Sequence, residues 1–168
     1  MGFSPDSDPS LPASADTADS LTLQRLAAIV HASADAIVGE TIDGIITDWN
    51  PAAERLYGYT AAEILGQHRS LLVPPDDEEA VNERIRQLSR GESIQDLEVV
   101  RRTRDERRIE VSLTISPIWD DSGQVVATSI IARDITARKA TEAALATSLE
   151  LFRVAFDNAP IAKVLTDA

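Results

Sequence analysis

The chain has 168 residues, of which 43% are hydrophobic and 26% are charged, and its formal net charge is −12. This balance is typical of one globular domain with extensions, and the excess of acidic residues argues against nucleic-acid binding. No apolar run approaches the roughly 20 residues that span a bilayer, so we expect no membrane insertion and a cytoplasmic location. The absence of cysteine excludes disulfides, cysteine-ligated zinc and thiol catalysis.

The first residues have the composition of an unfolded segment. Residues 1–19 are rich in Asp and Pro and contain no basic residue, which predicts a disordered leader. Ser20 then has the character of an N-cap, and the spacing of Leu23, Leu26 and Val30 predicts a helix with one apolar face. The folded part is therefore expected to begin at residue 20.

A hairpin is predicted next. The strands at residues 36–42 and 45–49 are joined at Asp43 and Gly44, a pair that favours a tight turn because both residues tolerate positive φ. Asn50 follows the second strand as the N-cap of a helix.

Several short helices follow the hairpin. Pro51 stands in the first turn of the first helix, where its missing N–H costs nothing. Thr60 and Glu63 have the spacing of a capping box for a second helix. A third, over residues 76–90, has acidic residues at its start and arginines at its end, the order that the helix dipole favours.

Three strands complete the domain. They are predicted at residues 94–102, 108–118 and 124–133, and the middle one alternates apolar and small polar residues, which indicates one buried face. Strands segregated from helices predict an α+β fold with an antiparallel sheet.

The last part of the chain predicts a helix with an apolar seam. Leu145, Leu149, Phe152 and Phe156 follow a 4-3-4 spacing, as in a contact between two helices. Packing of this seam against the protein's own sheet remains an alternative.

The chain also repeats a pattern. Residues 30–36 can be laid over residues 156–162, and each copy reads as a helix, a break of small residues and a strand. We expect residues 151–168 to be the start of a second domain that the chain does not complete.

Four segments of the chain form a recognisable set: residues 46–59 (ITDWNPAAERLYGY), 63–67 (EILGQ), 72–74 (LVP) and 134–139 (DITARK). Together they resemble PAS domains. The segment FDNAP at residues 156–160 resembles the opening of another such domain. One departure is Glu106, which stands where the family commonly has Gly and would cost about 1 kcal/mol if positive φ is required there.

The resemblance implies a PAS domain at residues 20–135, with five antiparallel strands and flanking helices around a small cavity. Residues 136–150 would form a signalling helix, and the protein is expected to be a homodimer. Such domains pass signals to an output domain in the same chain, often a histidine kinase, a diguanylate cyclase or a cyclic-di-GMP phosphodiesterase. None of those catalytic motifs is present in this sequence, so we expect no catalytic residues and no enzyme activity in this chain.

Four residues are candidates for lining the cavity: Trp49, Asn50, Tyr57 and Leu72. The resemblance puts Trp49 and Asn50 at the cavity mouth, although a core tryptophan and a helix-capping asparagine are the simpler interpretation. Without cysteine, adduct-forming flavin chemistry is excluded, and non-covalent flavin remains open. The favoured expectation is that no cofactor is bound.

Haem and metal sites are disfavoured. A haem iron needs an axial ligand, but His31 aligns with Asp157 in the repeat and His68 is expected to be solvated after a helix-ending glycine. The acidic residues 76–79 point around a helix rather than at one centre, so they predict no metal site. The basic residues within 101–108 are interpreted as a solvated hairpin tip.

Asp134 and Thr136 are the candidates for signal relay, because they stand where the last strand meets the following helix. Thr136 is expected to cap that helix, and Asp134 to pair with a base or a backbone donor. Leu145, Leu149 and Phe152 are the candidate dimer and linker contacts. Two functions follow: a sensor of a small ligand or redox cue, or a ligand-free module that holds two chains together.

Overall fold

The computed structural model describes residues 14–157. Five strands form one antiparallel sheet in the order β2-β1-β5-β4-β3, so the predicted α+β fold with five antiparallel strands is confirmed. Two 3-10 turns, Arg69–Leu71 and Pro75–Asp77, precede the longest helix over the sheet. In chain order the elements are α1 (Ser14–Ala32), β1 (Ala36–Thr41), β2 (Ile46–Trp49), α2 (Pro51–Tyr57), α3 (Ala61–Ile64), α4 (Glu78–Ser89), β3 (Ile94–Arg102), β4 (Arg108–Trp119), β5 (Val125–Asp134) and α5 (Thr136–Asp157).

One face of the sheet forms the core. Along β4, Val111, Leu113 and Ile115 are buried while the residues between them are partly exposed, because successive strand side chains point to opposite faces. Helices α2 and α4 contact strands of this sheet. The concave inner face therefore lies under the helices, as the alternation in the sequence predicts.

The β1–β2 turn is longer than predicted. Gly44 N–H donates to Thr41 O (2.9 Å), and Thr41 N–H donates to Ile45 O (2.8 Å). Only Gly44 of the Asp43–Gly44 pair has positive φ, at 88°, so the turn is a three-residue loop. The register of β1 against β2 shifts between Gly39 and Glu40.

Asn50 is buried and joins three parts of the fold. Its Oδ1 accepts the N–H of Ala53, as the predicted N-cap, and also the N–H of Ile37 in β1, both at 2.9 Å. Its Nδ2 donates to Val30 O and Asp35 O, each at 3.1 Å. One amide thus connects the end of α1, the start of β1 and the start of α2.

Helix α1 corrects the predicted start of the folded part. The helix begins at Ser14, so Ser20 lies inside it and residues 14–19 are helical; alanine at positions 15 and 18 favours this conformation. Its predicted apolar face is not packed, since Leu23 is 67% exposed. Residues 1–13 of the expected leader lie outside the described residues.

Helix α5 is continuous from Thr136 to Asp157. The seam residues Leu145, Leu149, Phe152 and Phe156 are all exposed, and the rings of Phe152 and Phe156 stack at 6.3 Å. The seam therefore does not pack on the protein's own sheet. Residues 158–168, where the second domain was predicted to continue, lie outside the described residues.

The β3–β4 turn generates a test of backbone strain. Glu106 has φ of 61°, a conformation that costs a non-glycine residue about 1–2 kcal/mol. A glycine at this position avoids that strain but destabilises the fold by about 0.5–1 kcal/mol, because it loses more chain entropy on folding. We expect Glu106→Gly to raise the free energy of unfolding by about 0.5–1 kcal/mol in urea titrations.

The matched control is Asp121→Gly, in an exposed turn at a residue without positive φ. This variant should lose about 0.5–1 kcal/mol, because glycine brings only its entropic cost. Equal losses in both variants would contradict strain at Glu106.

Candidate functional site

A small cavity lies between the concave face of the sheet and α4. Its volume is about 50 Å³. Tyr57 and Leu72, two of the four predicted pocket residues, line it, whereas Trp49 and Asn50 do not. The other apolar lining residues are Val38, Val73, Val81, Ile85, Leu88, Leu113, Ile115 and Ile130.

Trp49 and Asn50 are used by the fold instead. Trp49 is half-buried against the core, its Nε1–H donates to Tyr59 O (3.1 Å), and its ring lies 5.3 Å from that of Tyr57. The four hydrogen bonds of the Asn50 amide occupy its donors and acceptor. The interpretation of both residues as structural is therefore the one that the contacts support.

The cavity wall contains a buried ion pair that the sequence interpretation missed. Arg69 Nη1 lies 2.8 Å from Glu40 Oε2, and Glu40 is only 4% exposed. Arg69 also donates to Ile42 O (3.1 Å), and its backbone N–H donates to Gly44 O (2.8 Å). The first 3-10 turn is thereby attached to the β1–β2 hairpin.

A second charged cluster corrects the interpretation of residues 101–108. Arg101 is 8% exposed and therefore not part of a solvated tip. Its Nη1 lies 3.3 Å from Asp77 Oδ2, and Arg84 of α4 reaches the same oxygen at 3.2 Å. Asp77 thus pairs with two arginines from separate elements. Compensation of the helix dipole is therefore not the only role of this carboxylate.

Two buried polar atoms on the inner face have no hydrogen bond. They are Thr128 Oγ1 and Glu40 Oε2; the contact of Arg69 with Glu40 Oε2 is an ion pair that is not aligned as a hydrogen bond. Glu40 and Thr128 are direct partners in the β1–β5 pairing. An unsatisfied buried polar group costs about 1–3 kcal/mol, and this cost applies to Thr128 Oγ1, since Glu40 Oε2 is paired with Arg69.

Burial also shifts the titration of these groups. It raises the pKa of Glu40, while Arg69, Arg101 and His68 oppose that shift by their charge. The pKa of Arg101 is lowered, again mainly by burial. Burial raises the pKa of Tyr57 to about 12, so this hydroxyl stays protonated at neutral pH.

The alternation of residues along the strands indicates that Glu40, Thr128 and Arg101 are buried. Glu40 is in phase with Ala36 and Val38, and Thr128 is in phase with Ile130. Because a strand places alternate residues on one face, a polar residue in phase with buried apolar ones must be buried. Arg101 follows the same rule in β3, two positions after Val99.

Neither histidine of the chain lines the cavity. His31 is exposed on α1, and His68 accepts the N–H of Ser70 at Nδ1 (3.2 Å) while its Nε2 contacts Asp43 O (3.1 Å). One water needs about 10–15 Å³ when volume is measured in this way. The cavity of about 50 Å³ therefore holds roughly three to five water-sized groups. A flavin or haem does not fit this shape, so the residues present do not support either group.

An outer groove of about 410 Å³ adjoins the cavity. Ile42, Asp43, His68 and Ser70 line the groove alone. The groove and the cavity share four lining residues: Arg69, Val73, Val81 and Ile85. Arg69 therefore stands at the passage between solvent and the inner cavity.

Asp76, which precedes α4, pairs with Arg108 at 2.5 Å. Among the side chains that the structure describes, which leave out those of residues 14–18, 78, 79 and 82, no three His, Asp or Glu are placed to hold a metal ion. No helix in the same part of the chain is long and apolar enough to cross a bilayer.

At the junction between β5 and α5, the contact of Asp134 agrees with its prediction and that of Thr136 does not. Asp134 Oδ1 accepts the N–H of Thr136 (2.8 Å), one of the backbone-donor pairings that was expected. Thr136 does not cap the helix with its side chain: its Oγ1 accepts the N–H of Glu110 in β4 (3.1 Å). Ile135 N–H donates to Glu110 O (2.9 Å), so the start of α5 is fixed to β4.

Ion pairs attach α5 to β3 as well. Glu98 pairs with Arg138 (2.6 Å) and with Lys139, and these two cations lower the pKa of Glu98, Lys139 having the larger effect. The first turn of α5 is therefore held by two strands whose inner residues line the cavity.

Curated relatives belong to signalling systems. The signal transduction histidine-protein kinase AtoS of Escherichia coli (strain K12) is 34% identical over 118 residues, which are 70% of this chain and 19% of the kinase. Two-component system protein A of Emericella nidulans is 37% identical over 110 residues, 64% of this chain and 16% of that protein. The chain thus spans less than a fifth of the length of these relatives.

The buried carboxyl of Glu40 generates a pH prediction. Its pKa is raised above 4.5 in the folded state, so its stabilising contribution is complete below the unfolded pKa and is lost as pH rises through the folded pKa. We expect wild-type protein to lose stability relative to Glu40→Gln as the pH rises above about 4.5, the ordinary pKa of this carboxyl. Urea titrations at several pH values measure this difference.

Glu110→Gln, which removes an exposed carboxylate, controls for the loss of one charge. If wild type instead gained stability over Glu40→Gln as pH rose, the pair with Arg69 would outweigh burial and the assigned direction would be wrong.

A solved structure and a family match agree on the fold. The PAS domain of a protein from Colwellia psychrerythraea is 29% identical, covers 69% of this chain and 98% of that one, and superposes with a TM-score of 0.63. Residues 24–135, about two thirds of the chain, match the family described as PAS fold. This span contains all five strands and the cavity, and it ends where α5 begins. The chain therefore belongs to the PAS family.

Proposed function

We propose that this chain is the sensory module of a signalling protein, in which a change in the cavity is passed through α5 to an output domain. The supporting observation is that β3 and β4 both line the cavity and hold the start of α5. Arg101 of β3 and Leu113 of β4 line the cavity, while Glu98 of β3 and Glu110 of β4 hold the first turn of α5. A guest that moves these strands also moves the helix.

The proposal includes pairing of two chains through α5. Leu145, Leu149 and Phe152 are 60–70% exposed along one seam, and exposed apolar seams of this spacing are typical of coiled coils. In this account, the cavity state alters how two α5 helices pair.

The output is proposed to be a histidine kinase in the same chain, since the kinase relative carries the similar segment within a longer protein. A diguanylate cyclase or a cyclic-di-GMP phosphodiesterase remains the other expectation from the sequence. Catalysis would then belong to the output domain and not to residues 14–157, and the module would act in the cytoplasm.

A ligand-free dimerisation module is the second candidate, favoured by the exposed seams of α1 and α5. Native mass spectrometry and an absorbance spectrum of the purified chain distinguish the two. A stoichiometric extra mass or an absorption band supports the sensor, while a dimer of bare polypeptide supports the second candidate.

The relay is tested at the strand–helix junction. Asp134→Ala removes the acceptor of the Thr136 N–H, and we expect the first turn of α5 to lose about 1 kcal/mol of local stability. Hydrogen exchange of the amides at 136–139 should quicken while that of β4 stays unchanged, and the full protein should lose its signal response. Asp121→Ala, in a turn remote from α5, is the control; unchanged output in Asp134→Ala would contradict the relay.

The helix pairing is tested with one charge on the seam. Leu149→Glu should raise the dimer dissociation constant at least about tenfold, because a carboxylate replaces a buried apolar contact. Sedimentation equilibrium measures this, together with output of the full protein. Leu151→Glu, equally exposed but off the seam, should leave both unchanged, and equal effects of the two variants would rule out a specific seam.

A further inference from the structure

The side chain of Arg69 lies between the inner cavity and the outer groove. It is one of the four residues that line both spaces, and the other three are valine and isoleucine residues. Its Nη1 pairs with Glu40 Oε2 at 2.8 Å, and its Nη2 donates to Ile42 O at 3.1 Å. Arginine has more rotatable bonds than valine or isoleucine. Arg69 is therefore the shared residue whose side chain can most readily move and join the two spaces.

The surroundings of Arg69 permit such a movement. Its pair with Glu40 is close but is not aligned as a hydrogen bond. Release restores rotamer entropy, which amounts to about 2 kcal/mol for a fully ordered arginine. The groove is lined in part by Asp43, His68 and Ser70, so a guanidinium that turns outward enters polar surroundings.

The observed position of Arg69 requires a glycine at position 44. Gly44 is buried in the β1–β2 turn, and the Arg69 guanidinium lies directly against it. A Cβ on Gly44 would lie 2.8 Å from Nη2 and 2.9 Å from Cζ of Arg69, closer than the contact distance of about 3.5–4.0 Å. Because these atoms end a flexible side chain, an alanine would displace the guanidinium.

Gly66 is a matched position for comparison. Gly44 and Gly66 have φ of 88° and 80°, so an alanine is strained by about 1–2 kcal/mol at either one. A Cβ on Gly66 meets no atom within 4 Å. The two substitutions therefore share the backbone cost, and only the one at Gly44 obstructs Arg69.

We propose that Arg69 is a latch, which closes the inner cavity against the outer groove when it rests on Gly44 and pairs with Glu40. The latch opens when the guanidinium turns into the groove, and the two spaces then become one that solvent can reach. This device does not require that the cavity bind a ligand. In the sensory account, it would control entry to the cavity.

A single introduced cysteine measures the opening, because the chain has no cysteine of its own. Thr128 lines the cavity and is 2% exposed, so the thiol of Thr128→Cys stays unreactive until an opening admits a reagent. Val111 is also buried but does not line the cavity, and Val111→Cys therefore reports unfolding of the core. Mass spectrometry follows the modification of each reporter by methyl methanethiosulfonate.

With the Thr128→Cys reporter, Gly44→Ala should react at least about tenfold faster than Gly66→Ala. Urea below the unfolding transition should leave this rate nearly unchanged, because a side-chain opening exposes little surface. With the Val111→Cys reporter, the two glycine variants should react alike. Equal rates at Thr128→Cys would overturn the latch, and so would an equal acceleration at both reporters.

A variant without the latch shows whether Gly44 acts through Arg69. The pair Glu40→Gln and Arg69→Ala removes both charged partners together, so no buried charge is left alone. In this background, Gly44→Ala and Gly66→Ala should change the rate at Thr128→Cys equally, since the guanidinium that a Cβ would meet is gone. A persistent difference of about tenfold would place the effect elsewhere in the turn and overturn the assignment to Arg69.

Discussion

Charge buried on the concave face of the sheet determines how this domain closes. Arg69 reaches Glu40 of β1 from the first 3-10 turn, and Asp77 joins Arg84 of α4 to Arg101 of β3. Loss of one partner of a buried pair costs about 3–5 kcal/mol, so these contacts hold the helical layer over both halves of the sheet. Replacing a buried ion pair by well-packed apolar side chains is often neutral or stabilising, so stability alone does not explain these charges.

Two strands contribute both to the cavity and to the attachment of α5. The strands β3 and β4 have cavity residues on the inner face and anchor α5 at the edge near Glu98 and Glu110. The wall of the cavity and the base of the helix are therefore parts of the same two strands. Asn50 joins α1, β1 and α2. The start of β1 pairs with Ala132, two residues before the end of β5, so the two flanking helices meet the sheet near the same end.

The local elements could be predicted from sequence because each depends on a few neighbouring residues. Asn50 caps α2, Glu63 Oε2 accepts the N–H of Thr60 as expected (2.9 Å), and Glu106 has positive φ. The cavity charges could not be identified in the same way, since Asp77 and Arg101 are 24 residues apart and only the folded sheet brings them together. The start of α1 was wrong because acidic and small residues, which suit an unfolded leader, also tolerate a helix.

Helix α5 has a further consequence for how domains can be joined to this one. An unbroken helix of 22 residues is about 33 Å long and turns by about 100° per residue. A domain fused directly to the end of this helix would therefore lie at an angle and a distance from the sheet that the helix sets. Inserting one residue would rotate a following domain by about 100°, whereas inserting seven would restore its orientation to within about 20°. Fusions that extend this helix therefore keep the orientation of the attached domain only at a few helix lengths.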